Sequence, residues 1–185
     1  MFEIFETSLP GLRELLPPIH ADDRGRFVKG FHADFFAAHG MAGRFLEQYY
    51  SLSEQGVLRG LHFQTPPHDQ DKLVICLDGA IFDVVVDLRL GSPSHGQHAV
   101  FELSAERGNQ LYIPSGLAHG FYVTSPSATV MYSATTMYAP DHDTGIHWDS
   151  LGIKWPDPAP KVSEKDAALV RFADFDSPFR LGTAQ

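Results

Sequence analysis

The stretch "DKLVICLDGAIFDVVVDLRLGSPSHG", residues 71–96, decides the fold. It holds two short apolar runs parted by Asp78-Gly79 and closed by a cluster of Gly, Ser and Pro. β-Branched residues pack well on a pleated surface, and Asp-Gly is a strong hairpin signal. The segment therefore predicts two strands joined by a tight turn. Residues 97–123, "QHAVFELSAERGNQLYIPSGLAHGFYV", repeat the habit, with Pro114 and Gly116 turning the chain before another apolar run. In "SATVMYSATTMYAP", residues 127–140, alternation sets Val130, Tyr132 and Ala134 on one face and Met131 and Ser133 on the other. Helical signals are few. "HADFFAAHG" at 32–40 is short and stops at Gly40, and "SEKDAALVRF" at 163–172 opens like a capping box, with Ser163 followed by Asp166 three residues on. "KWPDPAPKV", residues 154–162, reads as an extended connector. The pattern predicts an all-β sandwich or jelly roll with a few short peripheral helices, one domain over residues 1–185. A concave sheet of this kind can hold a ligand.

Bulk composition narrows the partners. A chain of 185 residues, 43% hydrophobic and 20% charged, is long enough for one substantial core. The net charge of -9 argues against nucleic acid or an anionic membrane as partner, yet a local cluster of Arg and Lys can still serve an anionic small molecule. No apolar run is long enough to cross a bilayer, and the opening "MFEIFETSLPGLRELLPP" lacks the order of a secretory signal, so the expected location is the cytoplasm. The lone Cys76 sits in an apolar strand pattern and reads as a small core residue.

Several strands carry polar residues that plain alternation would not place there. In "VLRGLHFQ", residues 57–64, alternation puts Leu58, Gly60, His62 and Gln64 on one face and Arg59 on the other. Gly60 permits a bulge that would turn Arg59 and His62 toward one pocket. Lys72 shares parity with Val74 and Cys76, and "IPSGLAHGF" sets His119 just after a Pro/Gly turn, at the expected mouth of a sheet. Taken singly, each residue has an ordinary structural explanation: a strand-end lysine snorkelling to water, a satisfied histidine, a core tyrosine at Tyr132. Their shared placement on one interior points to a ligand. Ten histidines raise the question of a metal, but no His-x-His pair occurs, and the "HGQH" of residues 95–98 lies beside turn signals. A site built from His62, His119 and a carboxylate is the metal reading that stays open. No nucleophile elbow, GxGxxG or P-loop string is present.

The motifs also occur in a telling order. "DDRGRF" at 22–27, "VLRGLHFQ" at 57–64, "KLV" at 72–74 and "FDVVVDLR" at 82–89 are followed by "GSPSHG" at 91–96 and "YIPSGLAHGF" at 112–121. Tyr132 within "MYSATTMY" and "GIHWDSLGIKWP" at 145–156 complete the series. Over about residues 22–166 the chain resembles the dTDP-4-dehydrorhamnose 3,5-epimerase family. The resemblance implies a cupin-type jelly roll, a double-stranded β-helix, acting as a homodimer without metal or redox cofactor. The implied activity is epimerisation, at C3, C5 or both, of a nucleoside-diphosphate 4-keto-6-deoxy sugar. His62 falls on the general base, Asp166 on its partner, Tyr132 on the acid and Lys72 on the lysine facing the keto oxygen. Arg24, Arg59, His119 and Lys165 fall on ligand contacts. The residue types suit the chemistry. A C4 ketone acidifies its neighbouring C–H groups, an ammonium stabilises the enolate, and a phenol on the opposite face returns the proton. The recognition positions depart from the family. Lys29 stands for a glutamate, Glu47, Gln48 and Tyr49 for a Gln-Asp-Asn run, and Asp143 for a glutamate, so nucleotide or sugar preference is expected to differ. The other readings are a 3,4-ketoisomerase using the same base and a sugar-nucleotide binding module without turnover.

Overall fold

The computed structural model describes residues 1–181. Strands dominate, as the alternation predicts: β1 (Glu3–Glu6), β2 (Arg13–Leu16), β3 (Ile19–Asp22), β4 (Gly25–Val28), β5 (Glu47–Glu54), β6 (Leu58–Gln64) and β7 (Lys72–Asp78). They continue as β8 (Ala80–Asp87), β9 (His98–Ser104), β10 (Gln110–Ile113), β11 (Leu117–Val123), β12 (Ser127–Ala134) and β13 (Asp143–Gly145). One sheet runs β1-β2-β10-β7-β12-β5 and the other β13-β6-β11-β8-β9, while β3 and β4 form a separate hairpin. From β5 to β13 the chain alternates between the two large sheets, except where β8 leads to β9 within one sheet. This is the cupin-type jelly roll.

Three apolar layers hold it. Val74, Cys76, Val85, Leu111, Phe121 and Val130 fill the space between the sheets. Leu61, Val84, Val86, Ile146 and Phe179 pack on the outside of the five-stranded sheet. Leu15, Phe36, Leu73, Ile75 and Tyr112 pack on the outside of the six-stranded one. Strands such as β7 and β8 are thus buried on both faces, which is why they read as continuous apolar runs. The helices are short: α1 (Ala33–Ala38) is capped by His32, and α2 (Glu164–Ala167) is a single turn whose N-cap Ser163 accepts from the Asp166 N–H. No helix among the described residues is long and apolar enough to cross a membrane.

The hairpin expected at Asp78-Gly79 does not form. β7 pairs with β10 and β12, and β8 pairs with β11 and β9, so the turn carries the chain from one sheet to the other. Asp-Gly supplies the left-handed residue that a sharp corner needs, and Gly79 indeed has φ 75°. Which strand each run then pairs with depends on distant partners. The corner is also tight, since a Cβ on Gly79 would lie 2.0 Å from the Ser127 carbonyl oxygen.

That contact separates two costs usually merged at glycine. Gly91 has a similar φ of 82° with nothing within 4 Å of its would-be Cβ. Gly91→Ala should cost about 1 kcal/mol, the left-handed backbone alone, whereas Gly79→Ala should cost about 3 kcal/mol or more because β12 must shift. Urea unfolding of the two variants checks this, and equal losses would show that the corner has room to spare.

Candidate active site

The site begins with a miscount between two strands. Along β11 the step from His119 to Phe121 is two residues, while their partners on β6, His62 and Arg59, are three apart. The extra residue reverses parity, so Arg59 and His62 face the same side and both line a pocket between the sheets. Gly60 makes this possible: its φ is 135°, and a Cβ there would lie 2.5 Å from the Gly120 Cα. The bulge expected from sequence is present.

His62 Nε2 lies 2.7 Å from Asp166 Oδ1. A carboxylate accepts, so Nε2 carries the proton and Nδ1 keeps the lone pair of a base. Asp166 is buried, which would raise its pKa. The hydrogen bond from His62, with those from the Gly60 N–H and Ser163, outweighs burial and holds the carboxyl below its usual range. The side chain and the backbone of Asp166 are therefore engaged separately. Its backbone N–H caps α2 on Ser163 Oγ at 3.0 Å, while its side chain holds the imidazole. The reciprocal half of a capping box is not made.

Tyr132 and Lys72 come from the six-stranded sheet, on the opposite wall from His62. Burial, then the neighbouring Tyr49 and Asp83, raise the Tyr132 pKa well above its ordinary value, so the phenol stays a proton donor. Tyr49 stacks on it with ring centroids 4.9 Å apart and planes 16° from parallel, a contact worth about 1 kcal/mol beyond burial. Burial also pushes the Tyr49 phenol up to about 12. Lys72 is buried, and desolvation lowers its pKa to about 8, opposed by the nearby Asp143 carboxylate.

The pocket has a volume of about 370 Å³, within the range of small-molecule sites. At its mouth Arg59 Nε donates to Ser53 Oγ across the gap at 2.9 Å, leaving the rest of the guanidinium to face an anion. Lys165 pairs with Asp143 at 2.5 Å, and Glu47 accepts the Tyr138 N–H at 2.6 Å. The single chain gathers His62, Lys72, Tyr132, Glu47, Tyr49, Arg59, His119, Asp143 and Lys165 around this cavity, with Asp166 directly behind His62. Three other residues expected at the site lie elsewhere. Gln48 is on the outer face of β5, where its amide donates to Ser133 Oγ, because alternation turns it away from Glu47 and Tyr49. Arg24 sits on the projecting β3–β4 hairpin, paired with Asp22 and with its side chain 85% exposed, and Lys29 at the hairpin's exit is exposed too. His119 is not turn-borne at the mouth: it is the third residue of β11 and buried on the pocket wall.

Sequence reading missed Ser51, Gln64, Gln70 and Tyr138 in the lining. Ser51 and Gln64 share parity with Tyr49 and His62, a usable signal. Gln70 and Tyr138 are in loops without periodicity. Gln64 pins those loops, donating to the His68 carbonyl at 2.8 Å and accepting from the Ala139 N–H at 2.7 Å. Among the described residues, no three His, Cys, Asp or Glu side chains converge as a metal-sized group.

Comparison with known proteins shows the family and the fold. Residues 6–174 match the family model described as dTDP-4-dehydrorhamnose 3,5-epimerase. The Shigella flexneri dTDP-4-dehydrorhamnose 3,5-epimerase is 40% identical over 94% of this chain and 97% of its own. The Legionella pneumophila dTDP-6-deoxy-D-glucose-3,5-epimerase, crystallised with dTDP-4-keto-L-rhamnose, superposes with a TM-score of 0.94 at 39% identity, covering 99% of this chain and 100% of that one. A 3′-monoepimerase from Streptomyces bikiniensis, in complex with dTDP-quinovose, gives a TM-score of 0.85 at 34% identity over 90% of this chain and 86% of its own.

The depressed ammonium is open to direct measurement. In an NMR titration of side-chain lysine resonances, one signal should titrate near 8, well below the ~10.4 of a solvated lysine, and should vanish in Lys72→Met. A Lys72 signal that titrates with the solvated lysines would show that the ammonium is hydrated.

Proposed function

This chain belongs to the dTDP-4-dehydrorhamnose 3,5-epimerase family, and on that premise we propose how its residues divide the reaction. The chain is a nucleotide-sugar epimerase, an isomerase acting on a nucleoside-diphosphate 4-keto-6-deoxy sugar next to its C4 carbonyl. His62 Nδ1 takes the proton from C3 or C5. The C–H electron pair moves into the ring and on to the carbonyl oxygen, giving an enolate beside the Lys72 ammonium. Tyr132 then delivers its phenolic proton to the other face of the same carbon, and the ketone re-forms with that centre inverted. Solvent returns a proton to the phenolate and removes one from the imidazolium, so atoms and charge balance. The observation that carries this reading is the placement of a carboxylate-held imidazole and a buried phenol on opposite sheets across one cavity. A single wall could remove and replace a proton, but inversion needs two. Lys72 suits its role because a desolvated charge acts more strongly on the developing oxyanion than a hydrated one.

Arg59 and Lys165 take the diphosphate. Arg24 and Lys29 reach a pocket only from a second copy, and in this reading the protein is a homodimer whose β3–β4 hairpin extends onto its partner. Support comes from exposed apolar surface: Phe27 on the hairpin is 62% exposed, and Tyr50 and Leu52 on the edge strand β5 are 72% and 66% exposed. Such side chains along an open sheet edge favour pairing with another chain. The thymidine nucleotide of the named relatives is the first candidate, with Glu47, Tyr49 and Asp143 the positions at which preference would change. No metal or redox cofactor has a part in these steps. The reading takes residues 1–185 as one catalytic domain working in the cytoplasm.

Two experiments test it. In deuterated water, with dTDP-, CDP- and GDP-linked 4-keto-6-deoxy sugars as probes, the protein should place deuterium at C3 or C5 while the carbonyl stays at C4. His62→Asn should lose about 100- to 10,000-fold in exchange. Asp166→Asn should fall about 100-fold or more while its stability changes by less than about 1 kcal/mol, because the backbone cap survives. Ser163→Ala should do the reverse. Full exchange in Asp166→Asn would leave the aspartate as a cap alone. Separately, Arg24→Ala and His62→Asn variants, each inactive alone, should regain activity when unfolded and refolded together, since one site of the mixed dimer then carries neither change. No recovery would place Arg24 outside the site.

A further inference from the structure

A second imidazole–carboxylate pair lies under the same pocket, and no proton of the transfer from His62 to Tyr132 passes through it. His119 stands opposite His62 in the β6–β11 register, and its Nε2 lies 2.7 Å from Asp83 Oδ2. Asp83 is fully buried on β8, sharing a face with Ile81 and Val85 of the core between the sheets. Its other oxygen, Oδ1, has no hydrogen-bond partner. In the run "IFDVVVD", residues 81–87, alternation puts Asp83 and Asp87 on one face with Ile81 and Val85; Asp87 is satisfied by Arg89, Ser92 and Ser94, and Asp83 is only half paired. A half-paired buried carboxylate is a costly way to stabilise a core, and an apolar residue would suit the alternation better. That mismatch points to a role beyond packing.

We propose that Asp83 is a positioning residue of the epimerase site, holding His119 with Nε2–H on the carboxylate and Nδ1 turned to the bound sugar as a hydrogen-bond acceptor. A neutral imidazole carries one proton, and an anion at Nε2 fixes it there. Asp166 treats His62 identically, so the five-stranded sheet presents two imidazole lone pairs side by side. The opposing wall presents donors, the Lys72 ammonium and the Tyr132 phenol, whose ring meets that of His119 edge-on with centroids 5.9 Å apart. This division sorts the substrate. Hydroxyls of the hexose donate to Nδ1, while phosphate oxygens are repelled by a lone pair and go to Arg59. The same carboxylate adds to the burial and to the Tyr49 contact that keep the Tyr132 phenol protonated. The role in turnover rests on the proton-transfer reading above; the tautomer does not.

Nitrogen NMR of histidine-labelled protein reads the tautomer without any substrate. His119 in the wild type should be the Nε2–H form. In Asp83→Asn, whose amide can donate to Nε2, the proton should move to Nδ1. The same variant should lose at least about tenfold in kcat/KM with its melting temperature held. In a His119→Ala background Asp83→Asn should cost nothing further, because no imidazole remains to be held. A wild-type Nδ1–H tautomer overturns the proposal even where the variants fail to fold. Unchanged kcat/KM in Asp83→Asn, or fully additive losses in the double variant, overturn it as well. If His62→Asn keeps full exchange while the His119 tautomer and the cycle come out as stated, the base assignment falls and the placement of Asp83 stands.

Discussion

The close crossing of β6 over β11, where Gly60 and Gly120 leave no room for a side chain, is the constraint on which the site depends. A Cβ on Gly60 would lie 2.5 Å from the Gly120 Cα, and one on Gly120 would lie 2.8 Å from the Arg59 carbonyl oxygen. Backbone can approach backbone this closely only without Cβ atoms. The crossing lets β6 carry one extra residue, and the extra residue lets a guanidinium and an imidazole share a face. It also aims the Gly60 N–H at Asp166, 3.3 Å from its Oδ2. One pair of glycines therefore sets the parity of the site and part of the support of its carboxylate.

The remaining geometry follows from a sandwich whose core does not run its full length. Apolar side chains occupy much of the space between the sheets, and near the first residue of β7 and the last residues of β6 and β12 they give way to polar ones. There each sheet contributes its own kind of group. The five-stranded sheet supplies histidines braced by buried aspartates, and the six-stranded sheet supplies a desolvated lysine and a phenol. The pKa shifts point the same way as this division. Burial raises the phenol, which keeps its proton, and lowers the lysine only to about 8, so a desolvated ammonium still stands where an enolate would form. Desolvation here costs stability and supplies the electrostatics the chemistry needs.

In the proposed reading, recognition is built differently from catalysis. His62 and Tyr132, the proposed proton carriers, sit on strands inside the two sheets, where rotamers are locked by packing. The positions that depart from the family are on an edge strand, in loops or on a projecting hairpin. Tyr49 on β5 illustrates the consequence. In the proposed reading it is a recognition position, yet it stacks directly on Tyr132, so a change there would touch substrate preference and the orientation of the phenol together.

Local signals made much of this legible in the sequence. Period-two alternation marked the inward faces of β7 and β12, Gly60 marked the bulge, and Ser163 marked the start of α2. The ordered motifs identified His62, Lys72, Tyr132 and Asp166 as a set. Such signals report a residue's own backbone and its nearest neighbours. They do not report which distant strand it will face. Asp78-Gly79 had the composition of a hairpin and became a corner between sheets, because strand pairing is chosen by long-range burial on both faces. His119 followed a Pro/Gly turn and proved to be a buried strand residue, and Gln48 lay one residue from the pocket face. Arg24 and Lys29 have no place in the pocket of one chain. Asp83 was not singled out in the sequence, and only the pairing of β8 with β11 brought it beneath His119. The sequence determined the strands, their faces and the chemical inventory. Tertiary structure alone decided which faces meet across the cavity, since that depends on contacts between residues far apart in the chain.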